Sequence, residues 1–174
     1  MNSDLILDFL NTRELSPDKE ELETPRALSE WLAERGLIDA GTSVPRAHRD
    51  EALRVREALR ALLAAHNQKP ADVAAATGEI DAASRRARLE VRFAGEGTRL
   101  EPAAAGARGA VGRILAEVST GMADGTWERM KECRADDCCW VFLDTAKNRS
   151  RAWCSMRSCG NREKVRAYRE RHQS

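Results

Sequence analysis

Cysteine is missing from the first 132 residues of this 174-residue chain, and aromatic residues make up only 5% of it. No apolar run approaches the roughly 18 residues that a membrane span requires. The opening Met1-Asn2-Ser3-Asp4 lacks the basic start of a signal peptide. These absences predict a cytoplasmic protein that does not enter the membrane. The chain also has no glycine-rich phosphate loop, no HExxH and no GxSxG. Its three histidines fall at neither metal nor triad spacing, and no carboxylate pair stands out from the 33% charged residues. No catalytic residue is therefore assigned, and the expectation is that the chain is not an enzyme.

What is present is concentrated near the C-terminal end. All five cysteines, Cys133, Cys138, Cys139, Cys154 and Cys159, fall within 27 residues. Four of them form two C-x4-C pairs separated by fifteen residues. In a reducing compartment, thiols so clustered point to metal rather than disulfides. Four thiolates make a closed tetrahedral site for one structural Zn²⁺, leaving no position for a catalytic water. The symmetric spacing selects Cys133, Cys138, Cys154 and Cys159. Cys139 is then a free thiol or a core residue, and the choice between 138 and 139 stays open. Buried free cysteines or a redox switch are the competing readings. Residues 140–143 can supply a strand and residues 151–153 can return to the second pair as its hairpin partner. A helix then follows Cys159, as in a treble clef.

Charge divides the same way. Residues 1–130 carry 18 Lys/Arg against 22 Asp/Glu, whereas residues 131–174 carry 11 against 6. A basic end on a mildly acidic body suits a polyanion, though a solvated helix face would look similar. On a helix after Cys159, Arg162, Arg166 and Arg169 share one face, and Lys164 adds charge nearby. Val165, Tyr168 and His172 form a second stripe, expected to dock on the finger or the body. Lys147, Arg149, Arg151 and Arg157 add charge from the turn and second knuckle. These arginines and lysines are the candidate nucleic-acid contacts. Trp127, Trp140 and Trp153 bracket the cysteine pairs, either as stacking platforms or as small-module core.

The preceding chain reads as mostly helical. Ser3 can cap a first helix over 4–13 with Leu5, Phe9 and Leu10 inward. Residues 14–23 read as a polar loop. Thr24-Pro25 starts a second helix that stops at Gly36. Residues 46–67 give the longest stripe, through Ala52, Val55, Leu59 and Leu62. Residues 71–87 are helical again. Alternation at Leu89, Val91 and Phe93, with a turn at residues 95–97, predicts a hairpin near 88–102. Val111, Ile114, Leu115, Val118 and Met122 mark a last helix, ending at Gly125. The fold class is therefore α+β: a mostly helical N-terminal domain, 1–126, with one hairpin, plus a docked four-cysteine finger, 127–174. The polar cluster Asp8, Asn11, Thr12 and Arg13 is a candidate ligand pocket, or else caps the helix and bonds within the core.

Residues 133–171 resemble the CGNR zinc-finger family of bacteria. The resemblance rests on Cys159-Gly160-Asn161-Arg162, Asp144, the turn Asn148-Arg149-Ser150-Arg151, and Trp153-Cys154-Ser155-Met156. Leu7-Asp8-Phe9-Leu10-Asn11-Thr12 is similar to the ABATE domain that commonly precedes this finger. The resemblance implies a stress-related, DNA-binding transcriptional regulator, and the N-terminal domain is then expected to sense a small-molecule effector or mediate association. The resemblance also implies the same four zinc ligands, with Cys139 a departure from the pattern. Because one small finger grips DNA weakly, a homodimer or help from the N-terminal domain is expected. The alternative is a zinc-stapled module for protein or RNA binding.

Overall fold

A computed structural model describes residues 2–15, 17–95 and 97–172, with Ala94 described by its backbone only. Glu96, in the expected turn at 95–97, lies outside the described residues. Helix α1 spans Ser3–Leu10, β1 Arg13–Leu15, β2 Asp18–Glu20, α2 Pro25–Glu34, α3 Arg46–His66 and α4 Val73–Ala87. Strands β3, Leu89–Ala94, and β4, Gly97–Pro102, lead into α5, Gly106–Asp124. The C-terminal part contains β5, Met130–Glu132, β6, Val141–Leu143, a π-helical turn over Met156–Gly160, and α6, Asn161–His172. No helix among the described residues is long and apolar enough to cross a membrane.

Local chemistry sets the helix ends. Thr24 Oγ1 accepts from the Ala27 N–H at 3.1 Å, with Pro25 in the first turn, as the Thr-Pro pair predicts. Asn2 rather than Ser3 caps α1, its Oδ1 accepting from Leu5 N–H at 3.1 Å. The helix therefore starts one residue earlier than expected and ends at Leu10 rather than residue 13, and Ile6 joins Phe9 and Leu10 in full burial while Leu5 is only partly covered. Residues expected to form a loop between 14 and 23 instead contain the β1–β2 ladder, pairing Arg13 with Glu20 and Leu15 with Asp18. Apart from Leu15 its residues are charged, so it has no apolar alternation to read.

The helices pack around Ile6, Phe9, Leu10, Leu28, Leu59, Leu63 and Ile114, all fully buried. The α5 helix comes close to the end of α4 and to β4. A Cβ on Gly112 would lie 2.8 Å from both Ala87 Cβ and Pro102 Cβ, so only glycine permits this approach. This contact seats the base of the β3–β4 hairpin on the body.

The strand expected to return over residues 151–153 does not form. Instead β6 pairs antiparallel with β5, Met130 opposite Leu143 and Glu132 opposite Val141. This two-stranded ribbon is a shared wall. Met130, Val141 and Leu143 belong to the body's core, together with Trp127. Phe142, on the opposite face, packs with Ala135, Trp153 and the cysteines in a second, smaller core.

Candidate metal centre and basic helix

The second core converges on sulfur. Cys133 follows β5 and its N–H donates to the Trp140 carbonyl at 2.8 Å, while Cys138 N–H donates to Ala135 at 3.1 Å, forming the first knuckle. Cys154 and Cys159 stand on either side of the turn into the π-helix, which Ser155 caps by accepting from Ser158 N–H. The Sγ atoms of Cys133, Cys138, Cys154 and Cys159 all lie within 4.8 Å of one another. Cys138 and Cys154 are 3.8 Å apart, and Cys154 and Cys159 3.6 Å. Four thiolates at ~2.3 Å from one Zn²⁺ span tetrahedral edges of about 3.8 Å, so the donor set and its spacing fit a single zinc ion.

Electrostatics agree with this assignment. The Cys133 thiol is pulled down to about 5 by its bond with Cys138, against its burial, and by the Cys154 and Ala135 N–H groups. Burial, Cys159 and Cys133 push Cys154 up to about 12, and Cys133 with burial pushes Cys138 up as well. One thiolate forms readily in this crowd, and further ones need a cation beside them. Two donors offset the remaining charge: Cys154 N–H lies 3.4 Å from Cys133 Sγ, and an Arg162 N–H 3.3 Å from Cys159 Sγ.

Cys139 turns the other way. It is buried, its Sγ donates to the Arg13 carbonyl at 3.3 Å, and its own carbonyl accepts from Arg60 at 3.0 Å. The choice between the adjacent cysteines is therefore resolved. Cys138 faces the other three thiols and Cys139 faces the body.

The N-terminal polar cluster serves the same junction. Asn11 donates from Nδ2 to the Val141 carbonyl at 2.9 Å and accepts the Val141 N–H at Oδ1 at 2.8 Å. Thr12 Oγ1 donates to Phe9 and accepts from buried Arg56, which also grips Glu20. The Arg13 guanidinium meets Asp18, and its carbonyl accepts from Arg60 at 2.9 Å. Asp8 alone points away, to Arg35 at 3.2 Å. Of these four, Arg13 borders shallow depressions and the other three line none of those described.

Several further residues anchor the junction. Asn67 Nδ2 bridges the Glu132 and Ala152 carbonyls, each at 2.7 Å. Lys69 reaches Glu132 and the Cys133 and Cys138 carbonyls. Lys131, nearly buried, pairs with fully buried Asp144 at 2.7 Å. Of these residues, Asp144 alone is singled out by the sequence, through the resemblance to the zinc finger.

The basic residues are dispersed. Arg151 folds inward over the Phe142 ring, 4.5 Å from its centroid, and donates to the Trp153 carbonyl at 3.0 Å and to that of Cys154. Arg149 pairs with Glu128 at 2.7 Å. Arg162 and Arg166 meet Asp137 and Asp136, each at 3.0 Å, on the first knuckle. Arg157, Lys164 and Arg169 are exposed. Helix α6 has no buried residue, and the stripe expected to dock leaves Val165 and Tyr168 exposed. Trp127 is core, against His66, whereas Trp140 is partly exposed beside the cysteines.

Comparison with known families agrees with this geometry. A model described as CGNR zinc finger matches residues 129–172. The ABATE model, described as "putative stress-induced transcription regulator", matches residues 3–125. No curated protein matches the chain. The chain therefore belongs to the ABATE family and carries a CGNR zinc finger, which makes it a zinc-binding regulator.

Proposed function

We propose that the protein is a DNA-binding transcriptional regulator of the cytoplasm, in which the zinc centre aims α6 at the duplex. One observation carries this reading. Helix α6 leaves the metal centre with no buried residue and carries five basic residues against two acidic ones. A helix that buries nothing gains little from intramolecular packing, so its charge is available to a partner. Arg157, Lys164 and Arg169 are the primary contacts. Arg149, Arg162 and Arg166 join them by exchanging an exposed carboxylate for a phosphate. Arg151 acts from behind, holding the second knuckle.

The helical body receives a small-molecule effector or mediates association. An open cleft of about 730 Å³ between α2 and residues 40–44, bordered by Ser29, Ala33 and Val44, offers room for such a ligand. The test is binding of the zinc-loaded protein to duplex DNA over a range of salt. With about four phosphates neutralised, log affinity should fall against log salt with a slope near −3.6. Replacing Lys164 and Arg169 with alanine should make that slope shallower by about 0.9 for each phosphate no longer neutralised. A flat salt response of the unsubstituted protein sinks the proposal in favour of a protein-binding finger.

A further inference from the structure

The β3–β4 hairpin extends beyond the body with an apolar face that none of the described residues covers. Val91 is 57% exposed and Phe93 86%. Its two edges differ. Strand β4 packs along α5. The register sets Leu89 against Pro102, Val91 against Leu100 and Phe93 against Thr98. At the base, Ala103 N–H donates to the Arg88 carbonyl at 3.0 Å. In an antiparallel ladder the bonded pairs alternate. Even-numbered residues of β3 therefore point their N–H and C=O toward β4, and Leu89, Val91 and Phe93 point theirs outward. Pro102, opposite Leu89, lacks an N–H and so blunts the β4 edge. The β3 edge has no such protection and no neighbouring strand among the described residues.

We propose that this edge is a self-association surface, on which β3 of a second copy pairs antiparallel about a two-fold axis through Val91. The sequence Leu89-Glu90-Val91-Arg92-Phe93 is self-complementary in that register. Val91 meets its symmetry mate, Leu89 meets the partner's Phe93, and Glu90 meets the partner's Arg92. The outward-facing residues then form the bonded pairs. Glu90 and Arg92 fall at the non-bonded positions, where side chains approach most closely. Only odd-numbered residues can supply the bonded pairs, so the neighbouring registers are centred on residue 90 or 92. The first sets glutamate against glutamate and the second arginine against arginine, and each is disfavoured by like charge. In the favoured register the apolar stripe runs unbroken across four strands, and the two-fold presents two fingers instead of one. The occupant is a second copy rather than an unrelated strand because its charge order answers that of β3 itself. This inference does not depend on what α6 contacts.

The interface is small, so association should be reversible and concentration-dependent. Sedimentation of the full zinc-loaded chain, from micromolar to near-millimolar concentration, should show a monomer–dimer equilibrium. Glu90→Arg or Arg92→Glu alone would set like charges against each other twice across the axis and weaken association about tenfold or more. The double variant Glu90→Arg/Arg92→Glu restores opposite charges and should recover wild-type association. Because Arg92 also pairs with Glu90 within β3 at 2.6 Å, far-UV circular dichroism and melting of each single variant should match wild type, showing that the hairpin stays folded. A wild-type chain that stays monomeric throughout, single variants that associate as wild type, or a double variant that fails to recover would each overturn the proposal.

Discussion

Asn11 holds Val141 by both of its backbone polar groups, as a neighbouring strand would. The amide that ends α1 thus satisfies a strand of the finger 130 residues away. Replacing Asn11 with alanine leaves both groups without a protein partner and should cost about 1–3 kcal/mol. Zinc stoichiometry should be unchanged, because none of the four ligands is touched. Thermal melting and amide exchange at β6, alongside metal content, test this. A variant as stable and as well protected as wild type would contradict the role assigned to the contact.

The two adjacent cysteines should separate cleanly. Cys138→Ser removes a ligand and should abolish tight zinc binding and unfold the finger. Cys139→Ser should keep one zinc per chain, since a serine hydroxyl can still donate to the Arg13 carbonyl. Native mass spectrometry of both variants reads the difference directly. Equal zinc loss in the two would reopen the choice of ligand.

Asp144 gives a pH dependence with a definite sign. Burial alone would raise its pKa, but the Lys131 ammonium and the N–H groups of Ala146 and Arg151 outweigh burial and hold it below the usual range. A folded pKa below the unfolded value of about 3.9 contributes stability that is full above that pH and is lost as pH falls through the folded pKa. Asp144→Asn should therefore be less stable at neutral pH, and the gap to wild type should narrow on acidification. Removing the side chain altogether, as alanine, strands Lys131 and should cost about 3–5 kcal/mol. Urea midpoints across pH are the measurement, and a gap independent of pH would refute the linkage.

Asp136 and Asp137 occupy two of the arginines that α6 would offer to phosphate. Converting both to asparagine should raise affinity for duplex DNA several-fold at low salt and steepen the salt dependence. Unchanged affinity would mean that Arg162 and Arg166 do not take part in binding.

The sequence exposes this fold where patterns are local. The stripe through Ala52, Val55 and Leu59 gives α3, alternation at Leu89, Val91 and Phe93 gives β3, and matched spacing gives the four thiols. It conceals what depends on distant partners. The β1–β2 ladder is charged apart from Leu15 and so shows no alternation, and its Glu20 is gripped by Arg56 from the distant α3. Strand β5 is only three residues long, and two of them, Lys131 and Glu132, are charges buried against Asp144 and Lys69. A charged pair in a short segment reads as loop until its partners are known. Cys139 stands between the two cases: matched spacing favours its neighbour Cys138 as ligand, and the contacts of Cys139 with Arg13 and Arg60 come only from the fold.

The ribbon of β5 and β6 lends one face to each of two interiors. The finger is therefore not a portable cassette. Excised, it would expose Met130, Val141 and Leu143 to water and be deprived of the amides of Asn11 and Asn67. Transplanting it onto an unrelated carrier should give an aggregating or molten product even with zinc bound. For the same reason, insertions at the seam near residues 125–129 should be poorly tolerated, so that body and finger are inherited together.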